Sequence, residues 1–231
     1  MTRDKLVALL SFGVDAEPEL IEGGVRICHT PFVAPLAYLH RIYPPLSRGD
    51  IIDLKQSLAV PNLGGYGEFL AVVGNGARIF NLSLGGFVRQ LNRSLHGLGQ
   101  PISLDYGNVV ERPSGLEDNA LVIGGVTGWS SRGVFVQLAS GEILLTHAKD
   151  GCDVAARWPS LDALLADEIL RLSKLHDRMG RSLVGSTELM HPGGRRWETE
   201  PEPPPKPPAP CPPAPGARWR GLWRRWFRQG P

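Results

Sequence analysis

Hydrophobic positions along the chain follow two periods, and the switch between them outlines the fold. From Ser47 to Leu58, the apolar residues Ile51, Ile52, Leu54 and Leu58 give one side of a helix, with Ser47-Arg-Gly-Asp50 as its start signal. Tyr66, Phe69, Leu70 and Val73 repeat that spacing over a second helix, Tyr66 to Val73, which Gly74-Asn75-Gly76 ends. The period then shortens to two. Ala77 to Leu84 carries Ile79, Leu82 and Leu84 with Asn81 and Ser83 between them, the alternation of one half-buried strand closed by Gly85-Gly86. Ala120 to Ile123 reads as a strand leading into Gly124-Gly125. Gly133 to Leu138 and Ile143 to His147 flank Ala139-Ser140-Gly141-Glu142, a hairpin signal. Helical spacing returns from Trp158 to Leu175, where Leu161, Leu164, Leu165, Ile169 and Leu172 line one face behind Ser160.

The remaining segments are less regular. Lys5 to Phe12 suits a short helix and Val25 to His29 a short strand. Thr30-Pro31 offers a cap and first-turn proline for a helix running through Tyr43, stopped by Pro44-Pro45. Phe87 to Leu95 suits another short helix, and Gly97 to Gly115 a loop. Beyond Gly180 the pattern fades. Residues 201–215 hold ten prolines in fifteen positions, an extended spacer. At ~3.1 Å per residue it would reach about 45 Å. The expectation is an α+β fold: a mostly antiparallel sheet with flanking helices, followed by a disordered Pro-rich C-terminal tail. Residues 1–45 are expected to form an N-terminal extension packed on the domain, 46–180 the domain, 181–216 a flexible linker and 217–231 a basic, Trp-rich tail.

Length and composition agree with one medium domain plus appendages: 231 residues, 42% hydrophobic and 21% charged. The net charge of +2 conceals two halves. Residues 1–200 carry 19 basic and 22 acidic side chains, whereas residues 201–231 carry six and one. An acidic body at −3 is thus joined to a tail at +5, which excludes a uniformly basic nucleic-acid binder. Cys28, Cys152 and Cys211 have no paired spacing, so neither a disulfide framework nor a zinc site is expected. The apolar run Leu6–Leu10 after Arg3 and Lys5 is short for a signal peptide, and no stretch approaches a transmembrane span. A cytoplasmic location is expected, with membrane association through the tail as an alternative.

Three groups of residues carry candidate chemistry. His147, Asp150, Cys152 and Asp153 fall within seven residues, and a thiol hydrolase built on Cys152 and His147 is one reading. Turn chemistry around Lys149-Asp150-Gly151 with a small buried cysteine is the stronger one. Gly124-Gly125-Val-Thr-Gly128 follows a strand but lacks the Lys-Ser/Thr of a nucleotide loop, so it reads as a glycine-rich turn and no cofactor is expected. Trp129, with Ser130 and Arg132 in the same polar stretch, is a candidate partner contact. In the tail, Trp219, Leu222, Trp223 and Trp226 fall on one helical face, with Arg218, Arg220, Arg224, Arg225 and Arg228 around the rest. This pattern suits an anionic membrane surface, a nucleic acid or a partner's groove. It equally suits a disordered extension. Nucleic acid is not an expected partner of the body.

The order of these features resembles the SUKH superfamily, the Smi/Knr-like proteins. Residues 46–176 carry the resemblance: helix Ile51–Leu58, Pro61, Tyr66-Gly-Glu-Phe69-Leu70, Asn75-Gly76 and strand Ala77–Leu84. Leu121-Val-Ile-Gly124-Gly125, Gly133–Leu138, Ser140-Gly141-Glu142-Ile143 and Leu161–Leu175 follow in the family's order. Two features depart from it. The segment Val60-Pro61-Asn-Leu-Gly-Gly-Tyr66 is two residues longer than the usual entry, and Gly124–Gly133 lacks the acidic residue often found there. The resemblance implies a non-enzymatic protein-binding module, and for many bacterial members an immunity protein that neutralises a partner toxin. By charge complementarity, an acidic body suits a basic toxin. The second reading is a peripheral membrane adaptor tethered by the Arg/Trp tail.

Overall fold

Among the described residues, nine strands pair antiparallel in strict chain order, each hydrogen-bonded to its sequence neighbours. In the computed structural model, α1 (Arg3–Leu10) precedes three of them: β1 (Glu19–Ile21), β2 (Gly24–His29) and β3 (Tyr38–Ile42). Then come α2 (Arg48–Ser57), α3 (Gly64–Glu68) and a π turn, Phe69–Val73. Strands β4 (Ala77–Ile79) and β5 (Leu82–Leu84) follow, then a second π turn, Tyr106–Val110. The sheet ends with β6 (Leu121–Val126), β7 (Gly133–Gln137), β8 (Ile143–His147) and β9 (Val154–Trp158), and α4 (Leu161–Ser173) follows. The structure describes residues 1–11, 17–35, 37–60, 62–90, 100–126, 133–177 and 181–185. The chain divides into two units, Met1–Thr199 and Glu200–Pro231, and all described residues belong to the first.

Local chemistry explains the helix starts. The Ser47 hydroxyl accepts from the Asp50 N–H at 3.2 Å, and the Asp50 carboxylate accepts from the Ser47 N–H at 3.1 Å. This reciprocal box satisfies two N-terminal donors of α2. Ser160 caps α4 by accepting from the Ala163 N–H at 3.2 Å. The N-terminal end of α3 is held by tertiary structure instead. The Gln137 carboxamide, buried on β7, accepts from the Tyr66 N–H and donates to the Leu63 carbonyl, both at 2.9 Å.

The α+β expectation and the antiparallel sheet hold, while several boundaries change. Residues 1–45 supply α1 and three strands of the sheet itself. The helix expected from Thr30 through Tyr43 is a loop followed by β3. Pro31 and Pro35 fall in that loop, which the Thr30 N–H closes by donating to the Ala37 carbonyl at 2.8 Å. Two flanking strands then hold Tyr38–Ile42 extended. Ala77–Leu84 is a hairpin rather than one strand, because Phe80 turns the chain with φ of 52°. Alternation looks identical in both cases, since Ile79 and Leu82 pair across the turn. Phe80 is an uncommon residue for this conformation; its N–H donates to His40 Nδ1 at 3.1 Å. Residues 87–90 are not helical, and 91–99 lie outside the described residues. Residues 104–110, expected as loop, include the second π turn. Trp158 closes β9 instead of opening the last helix.

One face of the sheet and helices α1 to α4 enclose the main core. Leu6, Leu54, Tyr66 and Leu164 represent the helices in it, Leu70 the first π turn, and Ile27, Ile79, Leu84 and Phe135 the strands. Each such side chain contributes roughly 1.5–3 kcal/mol by leaving water. Trp158 packs there against Phe135, with 5.9 Å between ring centroids, and donates to Asp167 at 2.9 Å. A smaller cluster of Ala120, Val122, Val136 and Leu144 forms separately, with Leu116 packed against it.

Candidate interaction face

Register decides which side chains share the side of the sheet away from the main core. Val25, Ile27, Ile42, Ala77 and Ile79 belong to that core. Residues alternating with them face the other way. These are Arg26 on β2, Arg41 on β3 and Arg78 on β4. Pairing sets Arg26 opposite Arg41 and Arg41 opposite Arg78. Three guanidinium side chains therefore stand in one row, about 4.8 Å from strand to strand. At one end β1 sets Glu19 opposite Arg26, with 3.8 Å between carboxylate and guanidinium. At the other end Ser83 follows Arg78.

Like charges placed directly across neighbouring strands destabilise a sheet. The row is graded in depth: Arg78 is exposed, Arg26 half-buried and Arg41 buried, at 9% exposure. Among the described residues, no carboxylate lies within ion-pair distance of Arg41 or Arg78. Two tyrosines flank the row. The Arg26 guanidinium lies 5.4 Å from the Tyr38 ring centroid, and that of Arg41 lies 6.0 Å from Tyr43. Burial and then the charge of Arg26 lower the Arg41 pKa; Tyr43 opposes them and Arg78 adds to them. Burial raises the Tyr43 hydroxyl against the pull of Arg41 and Arg78. A hydrogen bond to Glu19 is the main cause that raises Tyr38. Chemically, the row is a set of bidentate donors for carboxylate or phosphate oxygens.

Sequence reasoning missed this row because its members are 15 and 37 residues apart. One signal was present. Each arginine precedes an isoleucine inside a strand: Arg26-Ile27, Arg41-Ile42 and Arg78-Ile79. A lone cation beside a core-facing residue marks an outward position, but only pairing shows that three such positions align.

The thiol group resolves differently from its sequence reading. Cys152 is exposed, not buried. Its N–H donates to Asp150 Oδ1 at 3.0 Å and its thiol to the Asp150 carbonyl at 3.5 Å. His147 is buried, with Nδ1 4.0 Å from Asp150 Oδ1, and no hydrogen bond joins it to Cys152. The segment is thus a turn, as expected, between β8 and β9, but of the two described cysteines the buried one is Cys28, whose thiol burial pushes up to about 11. Gly124 and Gly125 lie within β6 rather than in a turn. Gly124 lets β5 approach, because a Cβ there would run into the Ser83 carbonyl oxygen.

The candidate partner contacts Trp129, Ser130 and Arg132 lie outside the described residues. So do Arg218, Trp219, Arg220, Trp223, Arg224, Arg225, Trp226 and Arg228 of the tail, and the linker beyond Gly185. Among the described residues, no helix is long and apolar enough to cross a membrane. Among them, no group of three or more His, Cys, Asp or Glu is placed to hold a metal ion. No family model matches the chain, and no curated protein matches it.

Proposed function

We propose that the chain is a non-catalytic protein-binding module of Smi/Knr-like type, an immunity protein that occupies and neutralises a partner toxin. The observation that supports this reading is the order of elements from Arg48 to Ser173. Two helices lead into a six-strand antiparallel meander, β4 to β9, and one helix closes it. That is the order the resemblance implies, with Asn75-Gly76 at the exit of the second helix and β7–β8 as the hairpin. A module of this kind presents a sheet face or cleft to its partner. The sheet here extends beyond the resembling region through β1 to β3, so the available face is wider.

The test is co-expression with each toxin encoded beside this gene. Growth should be restored, and toxin and chain should purify together. The reading fails if no neighbouring toxin is bound or neutralised by the full-length chain.

A further inference from the structure

We infer that the Arg26–Arg41–Arg78 row is a docking surface for an acidic, Asp/Glu-rich segment of a partner protein. The first observation is the row itself, three in-register cations on adjacent strands. A sheet gains nothing in stability from such an arrangement. The second is what already completes one end of it. Glu19 brings a carboxylate to Arg26 from the neighbouring strand, and nothing among the described residues does the same for Arg41 or Arg78. The chemistry that answers Arg26 is therefore one that no described residue brings to the other two arginines. An extended segment with carboxylates at alternate positions presents them about 6.8 Å apart on one side. That spacing lies within reach of side chains as long as arginine on strands 4.8 Å apart.

Charge decides between a protein segment and a nucleic acid. Residues 1–200 carry a net −3, so the body's overall charge adds no general attraction for a long polyanion to that of the three arginines. A short acidic segment has its charge confined to the three arginines. Arg fits this role better than Lys, since its planar fork grips a carboxylate through two parallel bonds. Tyr38 and Tyr43 bracket two of the guanidinium groups and limit their freedom before binding.

This inference rests on the reading of the chain as a protein-binding module, but not on the partner being a toxin. The test uses the full chain with the tail arginines neutralised (R218Q, R220Q, R224Q, R225Q and R228Q), so that they do not capture the probes. A fluorescein-labelled peptide of ten glutamates and a labelled ten-nucleotide oligothymidylate are titrated at 50 mM salt. The glutamate peptide should bind at least tenfold more tightly than the oligonucleotide. Its affinity should fall tenfold or more in R41Q/R78Q and threefold or more in R78Q alone, where the exposed side chain makes misfolding no explanation. Binding should disappear at 0.5 M salt. Equal peptide affinity in the R78Q and parent proteins overturns the inference. So does stronger binding of the oligonucleotide, which would make the row a phosphate site. If a neighbouring toxin is neutralised equally by R41Q/R78Q and parent, and the glutamate peptide also binds both alike, the inference falls and the immunity reading stands. If no toxin is neutralised while peptide binding depends on Arg78, the immunity reading fails and the row stands.

Discussion

The carboxamide of Asn108 does for Val122 what a neighbouring strand would do. Its Nδ2 donates to the Val122 carbonyl and its Oδ1 accepts from the Val122 N–H, both at 2.8 Å. Strand β5 spans only Leu82–Leu84 and pairs with β6 from Gly124 onward, so Val122 lies beyond its reach. Asn108, at the second π turn, completes the ladder there and also donates to the Leu104 carbonyl at 2.9 Å.

Replacing Asn108 by Ala should therefore destabilise the fold by about 2 kcal/mol or more, since three buried backbone groups lose the bonds it makes to them. Asn108→Asp keeps the acceptor but sets a buried carboxylate oxygen against the Val122 and Leu104 carbonyls, and should cost at least as much as Ala. Urea denaturation followed by circular dichroism reads both. Equal midpoints for Asn108→Ala and the parent would refute the strand-substitute role.

His40 predicts a pH dependence. The ring is fully buried, and burial, then the charge of His176, pull it from 6.5 down to about 3. The unfolded chain thus binds a proton near pH 6.5 that the folded chain refuses until about 3. Stability should be complete above pH 6.5 and decline as pH falls toward 3, by about 1.4 kcal/mol per pH unit for this group. Burial also lowers His176, which acts in the same direction. Asp50, held below 3.8 chiefly by its hydrogen bond to Ser47, adds a loss only at more acidic pH. In His40→Phe the slope between pH 6 and 4.5 should shrink, as measured by urea midpoints across that range.

The two described cysteines should label at very different rates. With the Cys28 thiol pushed up to about 11, about one in a thousand of these groups is a thiolate at pH 8. The Cys28 thiol also donates to the Leu10 carbonyl at 3.4 Å inside the core. Cys152 is exposed. Iodoacetamide at pH 8 should modify Cys152 at least a hundredfold faster, by peptide mass mapping that separates both from Cys211. Comparable rates would contradict the burial of Cys28.

Glycine at 124 is a packing requirement. An added methyl meets the Ser83 carbonyl oxygen, which is backbone and has no rotamer to escape into. Gly124→Ala should cost on the order of 3 kcal/mol by separating β5 from β6. Arg78→Gln should do the reverse, raising stability by roughly 0.2–1 kcal/mol as it relieves the like-charge pair with Arg41. Thermal melts of the two variants should move in opposite directions.

What could be read from the chain without coordinates was mostly what is decided locally. The capped helices at Ser47 and Ser160 and the β7–β8 hairpin carry their own start and turn signals, and they form near the expected places. Elements that depend on a distant partner were hidden. Strand β3 lies in a proline-rich stretch and is extended because β2 and β4 bracket it. The Phe80-Asn81 turn keeps the alternation of one longer strand and is marked by no glycine. Strand β9 ends at Trp158 only two residues before the α4 cap, so its last residue was absorbed into the helical pattern. The arginine row depends on the register of three strands at once, a property no single segment contains.

Because each described strand pairs with the one before and the one after it, the order β1 to β9 in the sheet repeats the order in the chain. A chain emerging from the ribosome can add one strand at a time to an existing edge, with long closures only from β3 to β4 and from β5 to β6 among the described strands. The same order means that the arginine row is completed as soon as β4 is made, before β5 to β9 exist. A growing chain with an acidic partner at hand would have its docking surface in place while half of its sheet was still unsynthesised.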